Sequence, residues 1–430
     1  MKGPIALATL RTTAVLGLRL LVQAGTLLLV ARMLGPRAFG AFSGVAALAV
    51  VLGTLSTFGT HLVLLGEVAK DASRRHAVLR YALPTTLVCG SLLLAIHLAI
   101  CLLALREAGI APHVLLLLGL AEILVQPLVV LCASEHHGLG RIAQSQALIM
   151  LPMLLRLVAA ATVFVLQPAD VLGAYAWGYA LASIVALLCV LGTLPAAWPS
   201  IRQWRLPRRT DLLNTAGFAA LNITAAGPTE IDKTLATRLL PLGGAGLYAA
   251  AARIIGAATL PISAMTASAL PRLFREGQDR SGRPSHLLRW MFGAACGYSA
   301  SLAALLWIAA PVFDWIFGSR YHGIAQVIRW LCIAVPGMAL RRVAGNILMA
   351  FHRPWARFGF ELSGLASLVV ASILATRHFG AIGMSVALCI SEWVMALFGI
   401  SLVIAALSRQ SGIRKMSAST QATTPPESGE

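Results

Sequence analysis

The chain has 430 residues, of which 58% are hydrophobic and only 12% charged, with a formal net charge of +18. That balance lies far outside the range of a water-soluble domain and makes lipid the solvent for most of the chain. The positive surplus is spread over short loops instead of being gathered on one basic domain, so nucleic acid is excluded as a partner.

Apolar runs of about 20 residues, enough to cross roughly 30 Å of hydrocarbon, recur from Thr12 to Ser408 with short polar breaks. They predict twelve spans, near 12–33, 39–65, 81–105, 111–134, 146–167, 171–195, 213–239, 245–270, 289–313, 322–350, 358–376 and 380–407. Lipid admits only helices and closed barrels, and continuous apolar runs select helices. The expected fold is all-α: a polytopic membrane protein of about twelve transmembrane helices.

If the helices alternate in direction, most positive charge falls on one side. Lys2, Arg11, Lys70, Arg74, Arg75, Arg80, Arg141, Arg202, Arg205, Arg208 and Arg209 lie there in the first part of the chain. So do Arg272, Arg275, Arg280, Arg283, Arg289, Arg341, Arg342, Arg353, Arg357, Arg409, Arg414 and Lys415. The other side keeps Arg32, Arg37, Arg106, Arg238, Arg320 and Arg377. The positive-inside rule then puts both termini in the cytoplasm, and a bacterial inner membrane is the expected location. Arg19 interrupts the first apolar run and no small-residue cleavage site follows it, so an uncleaved first helix is expected. The seven cysteines sit in apolar runs without C-x-x-C spacing and read as small buried hydrophobes.

The loop after the first span repeats after the seventh. At one constant offset Arg32 falls on Arg238, Leu34 on Leu240, Gly40 on Gly246 and Ala46 on Ala252, while Phe42 matches Tyr248. This predicts two six-helix pseudo-repeats around a central cavity, 1–197 and 213–407. A cytoplasmic linker at 198–212 would join them, and a disordered cytoplasmic tail at 408–430 would follow.

The stretch Ala31-Arg32-Met33-Leu34-Gly35-Pro36-Arg37-Ala38-Phe39-Gly40-Ala41-Phe42 resembles the signature loop of the polysaccharide-biosynthesis (Wzx-type) flippases. These belong to the superfamily that also holds the multidrug and toxin extruders. Asp232-Lys233, then Gly246-Leu247-Tyr248-Ala249-Ala250-Ala251-Ala252-Arg253 and Leu270-Pro271, are similar to that family's seventh and eighth helices. The resemblance implies a lipid-linked oligosaccharide substrate, polysaccharide-assembly proteins as partners, and antiport in some members. No cofactor and no enzyme activity are expected.

Ionisable groups at membrane depth are costly and therefore default functional candidates. The basic ones are Arg19, Arg156, Lys233, Arg253 and Arg329; the acidic ones are Glu122, Glu230, Asp232, Glu361 and Glu392. Sugars on a lipid pyrophosphate carry negative charge, which fixed arginines and lysines would offset. Arg19, Arg156, Lys233 and Arg253 are the candidate substrate ligands, with snorkelling of Arg19 and an intramembrane salt bridge to Arg156 or Lys233 as the structural alternatives. Glu122 and Asp232 are candidates for carrying a proton or sodium ion, or for balancing those cations. Gly227-Pro228 is expected to interrupt the seventh helix, and Pro127, Pro152, Pro261 and Pro336 are candidate bends.

Rival functions find less support. Adjacent His136 and His137 point to different helix faces and have no third ligand at useful spacing. Glu230-Ile231-Asp232 has the E-x-D form of a metal–sugar site but falls inside a span. No G-x-x-x-x-G-K-[ST] loop occurs. The nearer rival is a drug or metabolite exporter of the same superfamily, for which cationic cargo would call for carboxylates in the cavity, whereas this chain offers at least as many deep arginines and lysines as acids.

Overall fold

A computed structural model describes residues 4–262, 284–351 and 353–422. Within them the chain is helical, and eight helices are long and apolar enough to cross a membrane, or nine if Ile324–Cys332 and Ala334–Ala350 form one bent span. Two of the eight are too long for one crossing: Pro4–Ser56 has 53 residues and Pro354–Ala422 has 69. Each contains one glycine in a conformation closed to other residues, Gly35 (φ 69°) and Gly380 (φ 55°), where one helix gives way to the next. Counting the bent pair as one span, dividing both long helices there, and adding the more polar 31-residue Arg209–Leu239 gives twelve membrane-length helices among the described residues.

We label them α1 (4–34), α2 (36–56, continued by Thr60–Lys70), α3 (Arg75–Leu103), α4 (Pro112–Gly138) and α5 (Ile142–Leu166). Next come α6 (Val171–Leu191), α7 (Arg209–Leu239), α8 (Leu242–Ile262) and α9 (Pro284–Phe317). The last three are α10 (Ile324–Cys332 and Ala334–Ala350), α11 (354–379) and α12 (381–422). We call the side where α1 begins the terminal face and the side of the Gly35 turn the far face. Exposed tryptophans mark both boundaries: Trp290 and Trp355 near the terminal face, Trp177, Trp315 and Trp330 near the far face. Such amphipathic rings collect at membrane–water interfaces.

The irregular turns follow from local chemistry. Pro127 cannot donate to Ile123, and α4 absorbs the missing bond in a π-turn at Leu120–Val125. Pro336 likewise cannot donate to Cys332, where α10 bends by 42°. In α2, Phe58 (φ 47°) and Gly59 (φ 78°) break the helix near the terminal face.

Several expectations are corrected. α7 runs unbroken from Arg209 to Leu239, so the interruption expected at Gly227-Pro228 does not form; the helix absorbs the loss of one donor. Arg341 and Arg342, counted above with the charges of the cytoplasmic side and falling within the predicted span 322–350, lie inside α10, well short of its end at Ala350. The last helix continues past 408 to Ala422, over most of the segment expected to be disordered. Leu270-Pro271, Lys2, Arg272, Arg275, Arg280 and Arg283 lie outside the described residues, as do the side chains of Arg11, Pro228, Arg409, Arg414 and Lys415.

After α6 the chain crosses the terminal face pinned to α3. Arg75 donates to the Ala196 carbonyl at 2.6 Å, Arg80 donates to that of Gln203 at 2.7 Å, and the Arg205 amide donates to the Arg80 carbonyl at 2.9 Å. This segment is therefore held by the first six helices until α7 begins. The seam between α2 and the second six helices is made by glycines. Thr237 and Thr234 of α7 donate to the carbonyls of Gly40 and Gly44, both at 2.9 Å. A Cβ on Gly246 of α8 would stand 1.9 Å from the Pro36 carbonyl oxygen, so only glycine permits that approach. Gly40 and Gly246, matched in the sequence repeat, face one another across this seam.

Candidate functional site

The π-turn of α4 carries Glu122 into a network with α5 and α6. Arg156 Nη1 donates to Glu122 Oε1 at 2.6 Å and to the Tyr179 hydroxyl at 2.8 Å, and its other nitrogens donate to Ser183 Oγ at 3.1 and 2.9 Å. Tyr179 also donates to Glu122, and the guanidinium sits 3.9 Å from the centre of the Tyr179 ring. Gly53 of α2 lies against the Glu122 carbonyl, where a Cβ would come within 2.3 Å. Each of the three nitrogens of this buried arginine donates to a partner, four hydrogen bonds in all, as burial in low dielectric requires.

A second network joins α7 to α8. Lys233, 4% exposed, donates to Asp232 Oδ1 at 3.1 Å and to the Thr229 carbonyl, and Glu230 Oε2 lies 3.6 Å away. Tyr248 donates to the other Asp232 oxygen at 2.8 Å. A third, which sequence reasoning missed, pairs Arg341 of α10 with Glu392 of α12 at 2.8 Å, with both side chains buried. Beside it Arg357 and Glu361 pair along α11 at 3.0 Å, and Arg342 donates to the Thr259 carbonyl at 3.0 Å. The available signal was an arginine several residues inside an apolar run, with a carboxylate in the middle of a later one.

The candidates thus divide in two. Arg156 and Lys233 are held in ion pairs, by the very carboxylates, Glu122 and Asp232, proposed to balance them. Arg19 of α1 and Arg253 of α8 have no hydrogen-bond or ion-pair partner among the described residues. Both are partly buried, and the Nε of Arg19 is shielded from solvent with no acceptor. Arg253 stands eleven residues along α8 from Leu242, about 16 Å below its far-face end at 1.5 Å per residue. A partly buried guanidinium without a protein partner is completed by an anion or water, so these two residues are the ones chemically prepared for an anionic ligand.

Comparison with known proteins places this geometry. The family model described as polysaccharide biosynthesis protein matches residues 8–276. The chain belongs to that family. No curated protein matches the sequence, but solved structures match the fold. One is an inward-facing multidrug resistance MATE family transporter of the MOP superfamily, with a TM-score of 0.75 at 15% identity, covering 93% of this chain and 96% of the other. Another is the lipid II flippase MurJ in an inward closed conformation, with a TM-score of 0.71 at 12% identity over 97% and 93%. A third is a MOP superfamily transporter from Pyrococcus furiosus with a binding pocket of reversed polarity, at 0.65 and 16% over 94% and 96%. The chain is a multi-pass membrane protein with the flippase-type transporter fold of this family. At these identities the neighbours speak for the fold alone.

Proposed function

We propose that the protein moves a lipid-linked oligosaccharide across the bacterial cytoplasmic membrane by alternating access, with both termini in the cytoplasm. Two six-helix halves, 1–197 and 213–407, rock about a central path entered by the charged headgroup while the lipid tail stays in the bilayer. The observation that carries this reading is the pair of unpartnered arginines, Arg19 and Arg253, on helices from opposite halves. A pyrophosphate or acidic sugar held by both would couple its own binding to the approach of the halves.

Arg156 and Lys233 serve this mechanism as fixed structure. Their networks hold α4 to α5 by the Arg156–Glu122 pair and to α6 by the Tyr179 and Ser183 bonds, and hold α7 to α8 by the Tyr248–Asp232 bond, so that each half turns as a unit. Glu122 and Asp232 balance those cations, and transport needs neither to carry a coupling ion. A cationic-drug exporter is less consistent with this pairing, because the membrane carboxylates resolved here already lie beside a guanidinium or ammonium.

The test is deletion of the gene in its host, with analysis of surface glycan and lipid-linked intermediates. Loss of glycan with intermediates accumulating, restored by the wild-type gene but not by Arg253→Ala, supports the proposal. Unchanged glycan with new sensitivity to toxic cations would overturn it.

A further inference from the structure

The loop that carries the family resemblance, residues 31–42, does not bear either unpartnered arginine. It sits at the far face, against the turn between α9 and α10. Tyr321 in that turn donates its hydroxyl to the Ala31 carbonyl at 3.0 Å, and Arg32 Nε donates to the Ile316 carbonyl at 2.9 Å. The rings then form a continuous chain. Phe317 stands 5.3 Å from Tyr321, Tyr321 6.5 Å from Phe39, Phe39 6.5 Å from Phe42, Phe42 5.5 Å from Tyr175, and Tyr175 5.8 Å from Tyr179. All six rings are buried. Tyr179, the last, is the ring beneath the Arg156 guanidinium.

Polar bonds and ring contacts differ in which helices they join. Phe39, Phe42, Tyr175 and Tyr179 belong to α2 and α6, within the first six helices. Phe317 and Tyr321 belong to the second six. Among these rings the Phe39–Tyr321 contact is the one that crosses from one group to the other, with the Tyr321–Ala31 and Arg32–Ile316 bonds beside it, while the Thr237–Gly40 bond joins the same loop to α7. Edge-to-face ring pairs are favourable but lack the directionality of a salt bridge, and a hydroxyl-to-carbonyl bond is easily exchanged for water. That is the character of a contact made and broken in each cycle. The Glu122–Arg156 network behind it has the character of one that persists.

We propose that Phe39 and Tyr321, with the Tyr321–Ala31 and Arg32–Ile316 bonds, form the gate that seals the transport path on the far face. Its parting plane runs between these two rings. Phe42, Tyr175 and Tyr179 back the Phe39 ring and seat it on the Glu122–Arg156 pair. The signature loop is then a gate element, and its phenylalanines and small residues reflect closure instead of substrate contact. This inference rests on the alternating-access reading above, but its test uses no substrate.

The probe is a cysteine at Ser43, one turn below Phe39 on α2, whose hydroxyl is buried without a partner. Ser43→Cys is placed in a chain whose seven native cysteines are replaced by alanine. It is labelled in whole cells and in inverted vesicles with a membrane-impermeant maleimide. Ser319→Cys, exposed in the α9–α10 turn, reports the far face. Wild-type gating predicts slow labelling of Ser43→Cys from the Ser319 side. Phe39→Ala should raise that rate about two- to tenfold, the change in an equilibrium constant expected from losing one aromatic pair. Tyr321→Phe, which keeps the ring and folds readily, should raise it to a smaller degree. If both variants elute as folded protein and label at the parental rate, the gate assignment is wrong even where glycan export is intact. If labelling rises as expected while deletion leaves surface glycan unchanged, the gate stands and the substrate proposal fails.

Discussion

Replacing Arg156 with methionine separates a structural role from a ligand role. The arginine donates to Glu122, Tyr179 and Ser183 and lies on the Tyr179 ring, and all of these groups are buried. Removing it leaves the Glu122 carboxylate in a low-dielectric interior with only the Tyr179 hydroxyl for company. Breaking a buried pair in this way costs about 3–5 kcal/mol. Replacing both charges by Arg156→Met with Glu122→Gln should recover most of that loss, because no uncompensated charge remains. Tyr179→Phe removes a hydroxyl that accepts from Arg156 and donates to Glu122 but leaves the two charges paired, and at about 0.6 kcal/mol for each such bond within membranes should cost well under the loss of the pair. The assay is unfolding in mixed micelles over a denaturing-detergent series, run beside complementation of glycan export. The account predicts a strongly destabilised single variant and a double variant that is restored in stability and exports glycan. A single variant as stable as wild type but unable to export would refute it, and would return Arg156 to the substrate path.

Three further outcomes follow from the geometry. Gly246→Ala drives a methyl group toward the Pro36 carbonyl, forcing α2 and α8 apart, and should reduce export about tenfold, whereas Gly243→Ala meets nothing within 4 Å and should export normally. Arg341→Met should be rescued in stability by a second change, Glu392→Gln, as read by the same unfolding assay. The Asp211 carboxyl is pushed up by its partial burial, but hydrogen bonds from Arg205 and the Arg208 amide outweigh this and hold it below the usual carboxylate range. A depressed carboxyl stabilises above its unfolded pKa of about 4 and loses that contribution as pH falls through the folded value. Pepsin cleavage of the 193–208 segment should therefore increase as pH falls below about 4, and Asp211→Asn should show the greater cleavage near pH 4 with the difference shrinking as pH falls further.

The apolar runs made the helices legible because span length is set by the bilayer, and the twelve predicted spans overlap the twelve helices. Breaks were harder to read. Pro127 and Pro336 displace the backbone three or more residues ahead of themselves, into a π-turn and a bend, while α7 tolerates Gly227-Pro228 without interruption. The charged candidates were legible as a set but not as pairs. Which carboxylate meets which cation depends on how helices pack, so Arg156 with Glu122 was one alternative among several, and Arg341 with Glu392 was hidden by counting Arg341 with the charges of the cytoplasmic side instead of with the intramembrane candidates. Arg19 and Arg253 acquire their meaning only when the other cations are found to be occupied. The aromatic chain was invisible for a similar reason, since Phe39 and Tyr321 lie hundreds of positions apart in the chain.

The most direct test of the central claim is binding of a polyprenyl pyrophosphate bearing no sugar to the purified protein in lipid nanodiscs. Charge-assisted hydrogen bonds of about 1.5–3 kcal/mol predict that Arg19→Ala and Arg253→Ala each weaken binding about tenfold or more, while the Arg156→Met, Glu122→Gln double variant binds as wild type does. Equal affinity in all four proteins would contradict the claim that these two arginines hold the headgroup.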